Sequence, residues 1–257
     1  MATKTEVSYA DHSWSPWIGC NHVSPGCLNC CAESLMDNYL HKAHWGDHPR
    51  VGMAENYWKQ PLVWNKTPTP QRVLVLLCDP FEDNPQVANW RARFFRLMEE
   101  TPNLTWLLLT KRPENISNLG TEAAGRIFDL WLDDYPNVKL GVSVENQCFA
   151  SERIGEMLKN AYSFFVSAAP MLGPIDLLRA AGKYAGYFNR LSTCKWVICE
   201  GESGRKYRTL NIADAESLRA QCRELGIPFY MKQDSGLKPG RQGRLPDDLW
   251  NCKEFPR

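Results

Sequence analysis

The sequence holds 257 residues, 44% of them hydrophobic, with 30 basic side chains against 29 acidic ones for a net charge of +1. That length and apolar content can bury a substantial core and are close to those of a single α/β barrel, while the near-zero charge excludes binding of a polyanion by bulk charge and leaves only a local patch to do it. No apolar stretch reaches the ~18 residues of a membrane span and no charged-then-apolar leader opens the chain, so a cytoplasmic protein with no membrane partner is expected.

A short strand around Trp14 to Ile18 is expected first, and it feeds a loop in which Cys20, Cys27 and Cys30 stand as C-x6-C-x2-C. Ten cysteines in a cytosolic chain read as free or metal-bound thiols rather than a disulfide framework. Three closely spaced thiolates are one too few for a closed tetrahedral site. They suit a [4Fe–4S] cluster that keeps one iron free for S-adenosylmethionine, the cofactor pair with which a protein starts radical chemistry. Structural zinc is the competing reading, with His22, Cys31, His41 or His44 as a fourth ligand and a non-catalytic nucleic-acid-binding module as its consequence. Cys31 as a fourth cluster ligand would give plain electron transfer. Cys199, in an apolar run, and Cys222, on a helical stripe with Ala215, Leu218 and Leu225, read as small buried hydrophobes.

Residues 45 to 71, rich in Trp and Pro and without a clear period, read as an insertion. Apolar β-type runs then recur at roughly thirty-residue intervals, the length of a strand-plus-helix unit: Arg72 to Leu77, Leu104 to Leu109, Val138 to Val144, Ser163 to Ser167, Lys195 to Cys199 and Pro228 to Met231. Continuous apolar runs imply strands buried on both faces, hence parallel. Helical stripes lie between them, such as Val87, Trp90, Phe94 and Leu97, or Asn211 to Leu225 with Gly226 as the stop. The expectation is one domain over 1–257: a complete or partial (β/α) barrel of about seven parallel β/α units with an irregular tail at 236–257.

In a barrel the functional groups gather where strands end, and these ends are polar. Asp79 reads as a proton handler or a helix N-cap, and Lys111 as a cation for a cofactor carboxylate. Ser143, Glu145, Ser167, Gly201 and Ser203 read as contacts for cofactor hydroxyls and backbone. Asn29 and Gly26 offer donors that tune a cluster. Glu145 and Glu202 follow apolar strands, where burial would raise a carboxyl pKa and suit it to proton transfer; a solvent-facing cap is as simple.

Several motifs carry a wider resemblance: Trp14-Ser15-Pro16-Trp17-Ile18-Gly19-Cys20, Val23-Ser24-Pro25-Gly26-Cys27, Asn29-Cys30 with Ala32-Glu33, Leu109-Thr110-Lys111-Arg112-Pro113, Gly141-Val142-Ser143-Val144-Glu145, Leu172-Gly173-Pro174-Ile175-Asp176 and Gly201-Glu202-Ser203-Gly204. At these the chain resembles a phage-associated and bacterial family of three-cysteine proteins that is itself similar to radical S-adenosylmethionine enzymes. It departs from that family at Cys31, where an aromatic residue is usual, and at Ala169, where an acid is usual. The resemblance implies a 5′-deoxyadenosyl radical, an external one-electron reductant, and nucleic-acid modification in the host cytoplasm if the chain is phage-encoded. An isomerase or other C–H chemistry on an amino-acid-decorated thymine in phage DNA is the expected reaction, with a free nucleotide or peptide as the other substrate classes. Arg205, Lys206 and Arg208 around Tyr207, and Lys238, Arg241 and Arg244 in the tail, would hold the phosphate backbone, unless they are merely solvated loops.

Overall fold

A computed structural model describes residues 5–160, 162–184 and 190–256; residues 1–4, 161, 185–189 and 257 of the expected single domain lie outside the described residues. The chain forms two compact units, Met1–Val23 with Cys30–Lys139, and Ser24–Asn29 with Leu140–Arg257.

In the first unit, β1 (His12–Trp14) pairs parallel with β4 (Gln71–Val75), which pairs parallel with β5 (Leu104–Thr110). The expected strand at 14–18 is two pieces, because Pro16 has no N–H to donate and Ser15 turns its hydroxyl to the N–H groups of Leu76 and Leu77, at 3.2 and 2.8 Å. The second piece, β2 (Trp17–Ile18), pairs antiparallel with β3 (Val51–Gly52). The stretch read as a periodless insertion thus contributes β3 and two short helices, Glu55–Trp58 and Gln60–Trp64. Tyr57 and Trp58 from it stack and edge against Trp14, as do Phe94 and Trp106, with ring centroids 5.1 to 5.6 Å away. Such aromatic packing carries more burial per residue than any other. The helix Ala88–Glu99 follows a turn capped by Asn84, whose side chain accepts from Gln86 N, and it buries Phe94, Phe95, Leu97 and Met98.

The second unit holds β6 (Val138–Val144) from Leu140 onward, with β7 (Phe164–Ala168), β8 (Cys194–Glu200) and β9 (Phe229–Gln233), each parallel to the next. All five residues of β7 are buried, the signature of a strand covered on both faces. Two helices are capped by asparagine: Asn146 accepts from Cys148 and Phe149 before Gln147–Lys159, and Asn211 from Ala213 before Ile212–Leu225. The latter buries Ala215, Leu218 and Cys222 and ends at Gly226 with φ +68°. Gly141 has no room for a side chain, since a Cβ there would meet the Phe165 ring at 2.2 Å.

Seven parallel strands, three in the first unit and four in the second among the described residues, alternate with helices in the manner of a partial α/β barrel. That is the expected class.

Candidate functional site

Cys20 leaves β2 through Gly19, whose φ of +112° and close approach to Arg50 both exclude a side chain: a Cβ would sit 2.9 Å from Arg50 Cδ. Gly19 N donates to Leu77 O, and Gly46 N to Cys20 O. Cys20 and Cys30 pack against one apolar wall made by Ile18, Ala32, Ala43 and Trp45. Burial above all pushes the Cys20 thiol up to about 12, with Asp79 adding and Arg112 opposing. Burial likewise lifts Cys30 to about 11, Cys31 adding, while the Glu33 N–H and the Lys111 ammonium pull the other way. Both are therefore protonated thiols near neutrality, and a metal has to displace their protons on binding.

Around Cys20 the first unit builds a buried ionic frame. Asp79 accepts from Thr110 Oγ1 (2.6 Å), Phe81 N (3.0 Å), Lys111 N (3.0 Å) and Arg112 Nη1 (2.8 Å). With every lone pair engaged, it serves as a junction for the ends of β4 and β5. Arg112, 7% exposed, also points Nη1 at Cys20 Sγ (3.5 Å) and donates Nη2 to Asn21 O (2.9 Å). Burial opposes its charge, but the Asp79 carboxylate above all outweighs burial and keeps it protonated. Alongside, Arg50 makes a forked pair with Glu82 (2.9 and 2.6 Å) and donates to Gly46 O, His48 O and Asn21 Oδ1. Arg50 was given no role by the sequence, hidden in the aromatic insertion; Lys111-Arg112 read as a functional pair or a solvated loop, and only Lys111 was matched to a ligand, a cofactor carboxylate.

The segment 24–29, which carries Cys27 and Asn29, belongs to the second unit. Pro25–Cys27 is a 3₁₀ turn. Gly26 N donates to Glu145 Oε1 at 3.3 Å, and a Cβ on Gly26 would lie 3.2 Å from the Glu145 carboxyl carbon. Glu145 is wholly buried and neutralised by Arg153 Nη1 at 2.9 Å, which also donates to Ser143 O. Asn29 Nδ2 donates to Glu202 Oε2 (2.9 Å) and to Lys206 O (2.8 Å). Glu202 in turn accepts from Arg208 N, Nε and Nη2 at 2.7, 3.0 and 2.5 Å. Burial works against its ionisation, but the hydrogen bonds from Arg208 and Asn29 prevail and hold the carboxyl below its ordinary range. At Glu202 the sequence-based expectation of a raised pKa fails because Arg208 and Asn29 hydrogen-bond the charged form.

Ser143 and Ser167 are register partners on β6 and β7, and the Ser167 hydroxyl is buried with no hydrogen-bond partner. Gly201 lets the chain pass close to the next loop, where a Cβ would meet Ser235 N at 2.2 Å. Ser203 bridges to Gly236, which sets the loop after β8 beside the loop after β9. Of the basic residues, Arg208 is held by Glu202 and Arg244 by Asp234 (3.0 and 2.7 Å). Arg205, Lys206, Lys238 and Arg241 are exposed.

For the zinc alternative, His22 pairs with Glu33 (2.7 Å) and His44 with Asp37 (3.0 Å), while Cys31 and His41 are exposed. Among the described residues no group of three or more His, Cys, Asp or Glu side chains is gathered as a ready metal site.

The chain matches one protein family over residues 4–247, described as a protein of unknown function (DUF5131). Searches of curated proteins and of solved structures returned no match.

Proposed function

We propose, from the premise that this chain belongs to the DUF5131 family and from the way its cysteine segment is held, that the protein is a radical S-adenosylmethionine enzyme. Its substrate in this reading is a modified base in phage DNA, such as an amino-acid-decorated thymine, and its reaction is an isomerisation or other C–H chemistry. One observation carries the reading. Three points of the cysteine segment are each tied by a polar group to a strand end: Cys20 by Arg112, Gly26 by Glu145 and Asn29 by Glu202. A plain surface loop has no use for three buried ionic supports, each of which costs desolvation.

The donor chemistry suits the group. All three thiols are free, and Cys20 and Cys30 share an apolar wall that would exclude water from a cluster. A [4Fe–4S] cluster on Cys20, Cys27 and Cys30 would supply, when bound with S-adenosylmethionine and given an electron by an external reductant, the 5′-deoxyadenosyl radical that abstracts hydrogen. The chain's own residues do the holding. Lys111, half-buried after β5, offers a cation for a carboxylate. The unpartnered Ser167 hydroxyl, beside Ser143, offers a hydrogen bond to a cofactor hydroxyl. Glu145 and Glu202, paired with arginines, act in this reading as fixed supports of the loop and not as proton carriers. Arg205 and Lys206 beside Tyr207, and Lys238 and Arg241 in the tail, present exposed charge for a phosphate backbone, whereas Arg208 and Arg244 are spent on Glu202 and Asp234.

The test is incubation of anaerobically reconstituted protein with dithionite, S-adenosylmethionine and phage DNA carrying the modified base, followed by digestion to nucleosides. Formation of 5′-deoxyadenosine with a changed nucleoside profile is the expected result. Cofactor cleavage with an unchanged profile rejects DNA in favour of a free nucleotide or peptide. No cleavage and a colourless zinc protein would replace the reading with a zinc-stabilised nucleic-acid-binding module.

A further inference from the structure

We infer that Arg112 is a positioning residue for Cys20 and sets the reduction potential of an iron–sulfur centre bound there, an inference that rests on the radical-enzyme reading above. The guanidinium is clamped before any ligand arrives: Nη1 lies 2.8 Å from Asp79 Oδ2, and Nη2 lies 2.9 Å from Asn21 O, the carbonyl next to Cys20. Asp79 is itself immobilised by Thr110 and by the N–H groups of Phe81 and Lys111. From that clamp Nη1 reaches Cys20 Sγ at 3.5 Å. Glu82, the next acid, stands 3.9 Å from Nη2, with its own charge answered by Arg50. The guanidinium therefore aims one N–H at sulfur from a fixed direction. A lysine, with a single point charge on a flexible stem, cannot hold Asp79, Asn21 O and the thiolate together.

The consequence is electrostatic. One-electron reduction adds a negative charge to a cluster and its thiolates. A buried cation donating to one of those sulfurs stabilises the reduced form more than the oxidised form, and so raises the potential. The neighbouring Lys111 lies near Cys30 and adds to the same field.

Wild type, Arg112→Gln and Arg112→Lys would be purified anaerobically, assayed for iron, melted to verify folding, and titrated with dithionite under EPR detection. Arg112→Gln is expected to keep its iron and to be at least tenfold harder to reduce, about 59 mV in a one-electron Nernst titration. Arg112→Lys, which keeps the charge without the fork, is expected to show a smaller shift and an altered EPR line shape. An iron-loaded wild type whose Arg112→Gln variant has the same potential overturns this inference alone. If Arg112→Gln does not fold, Arg112→Lys decides, and a wild-type potential and spectrum there overturn it too. A wild type without iron overturns both this inference and the reading beneath it.

Discussion

Glu202 illustrates how a strand-end acid can be misjudged when its partners are distant in sequence. The run before it, Trp196 to Cys199, is apolar and buried, so a carboxyl that follows it is expected to be desolvated and proton-holding. Arg208 and Asn29, 6 and 173 residues away, reverse that sign. Because the folded carboxyl titrates below its unfolded value of ~4.3, its contribution to stability is complete at neutral pH and disappears as the pH falls through the depressed value. Urea midpoints measured from pH 7 to pH 3 should fall more steeply for wild type than for Glu202→Gln, whose midpoint should be lower at pH 7 and nearer to wild type at the acid end; parallel curves would show that the pair contributes nothing. Arg112 was not told apart from Lys111 for a related reason. Lys111 and Arg112 are adjacent cations after one strand, and nothing in the residues themselves tells which one turns inward to Asp79.

At the scale of elements, legibility followed length and burial. The strands β5 to β9 were readable to within a residue or two because each is a continuous apolar run, and the Asn211 cap and Gly226 stop bracket their helix as anticipated. The pair β2 and β3 and the helices Glu55–Trp58 and Gln60–Trp64 are two to five residues each, too short to display a period, and so were absorbed into loop and insertion. The tail proved less irregular than its glycines suggest. Lys253 bridges to Tyr230 of β9, Met231 N donates to Cys252 O, and Glu254 N to Phe229 O. Gly201 brings the loop after β8 against the backbone of Ser235 in the loop after β9. Alanine there would press on the backbone of Ser235, which cannot swing aside as a side-chain tip would. Gly201→Ala should therefore lower stability by about 3 kcal/mol, measured by chemical denaturation. An unchanged midpoint would mean that Gly201 stands open and free to serve a cofactor instead.

On the scale of the molecule, the α/β class followed from periodicity and burial, whereas the division into two units left no trace in composition, because its boundary falls inside β6, between Lys139 and Leu140. The segment 24–29 belongs to one unit and the cysteines on either side of it to the other. The thiol spacing was plain in the chain; the arginine-backed supports were not, because their partners come from the ends of β4, β5, β6 and β8 and from the helix Gln147–Lys159. The central claim is that these supports hold a three-thiolate segment for iron and sulfide. The most direct measurement is the iron, sulfide and zinc content of oxygen-free protein, compared with Cys20→Ala, Cys27→Ala and Cys30→Ala. The account predicts about four iron and four sulfide per wild-type chain, with each single variant losing most of both while Cys31→Ala retains them. Wild-type protein that carries no iron, or zinc in its place, would contradict it.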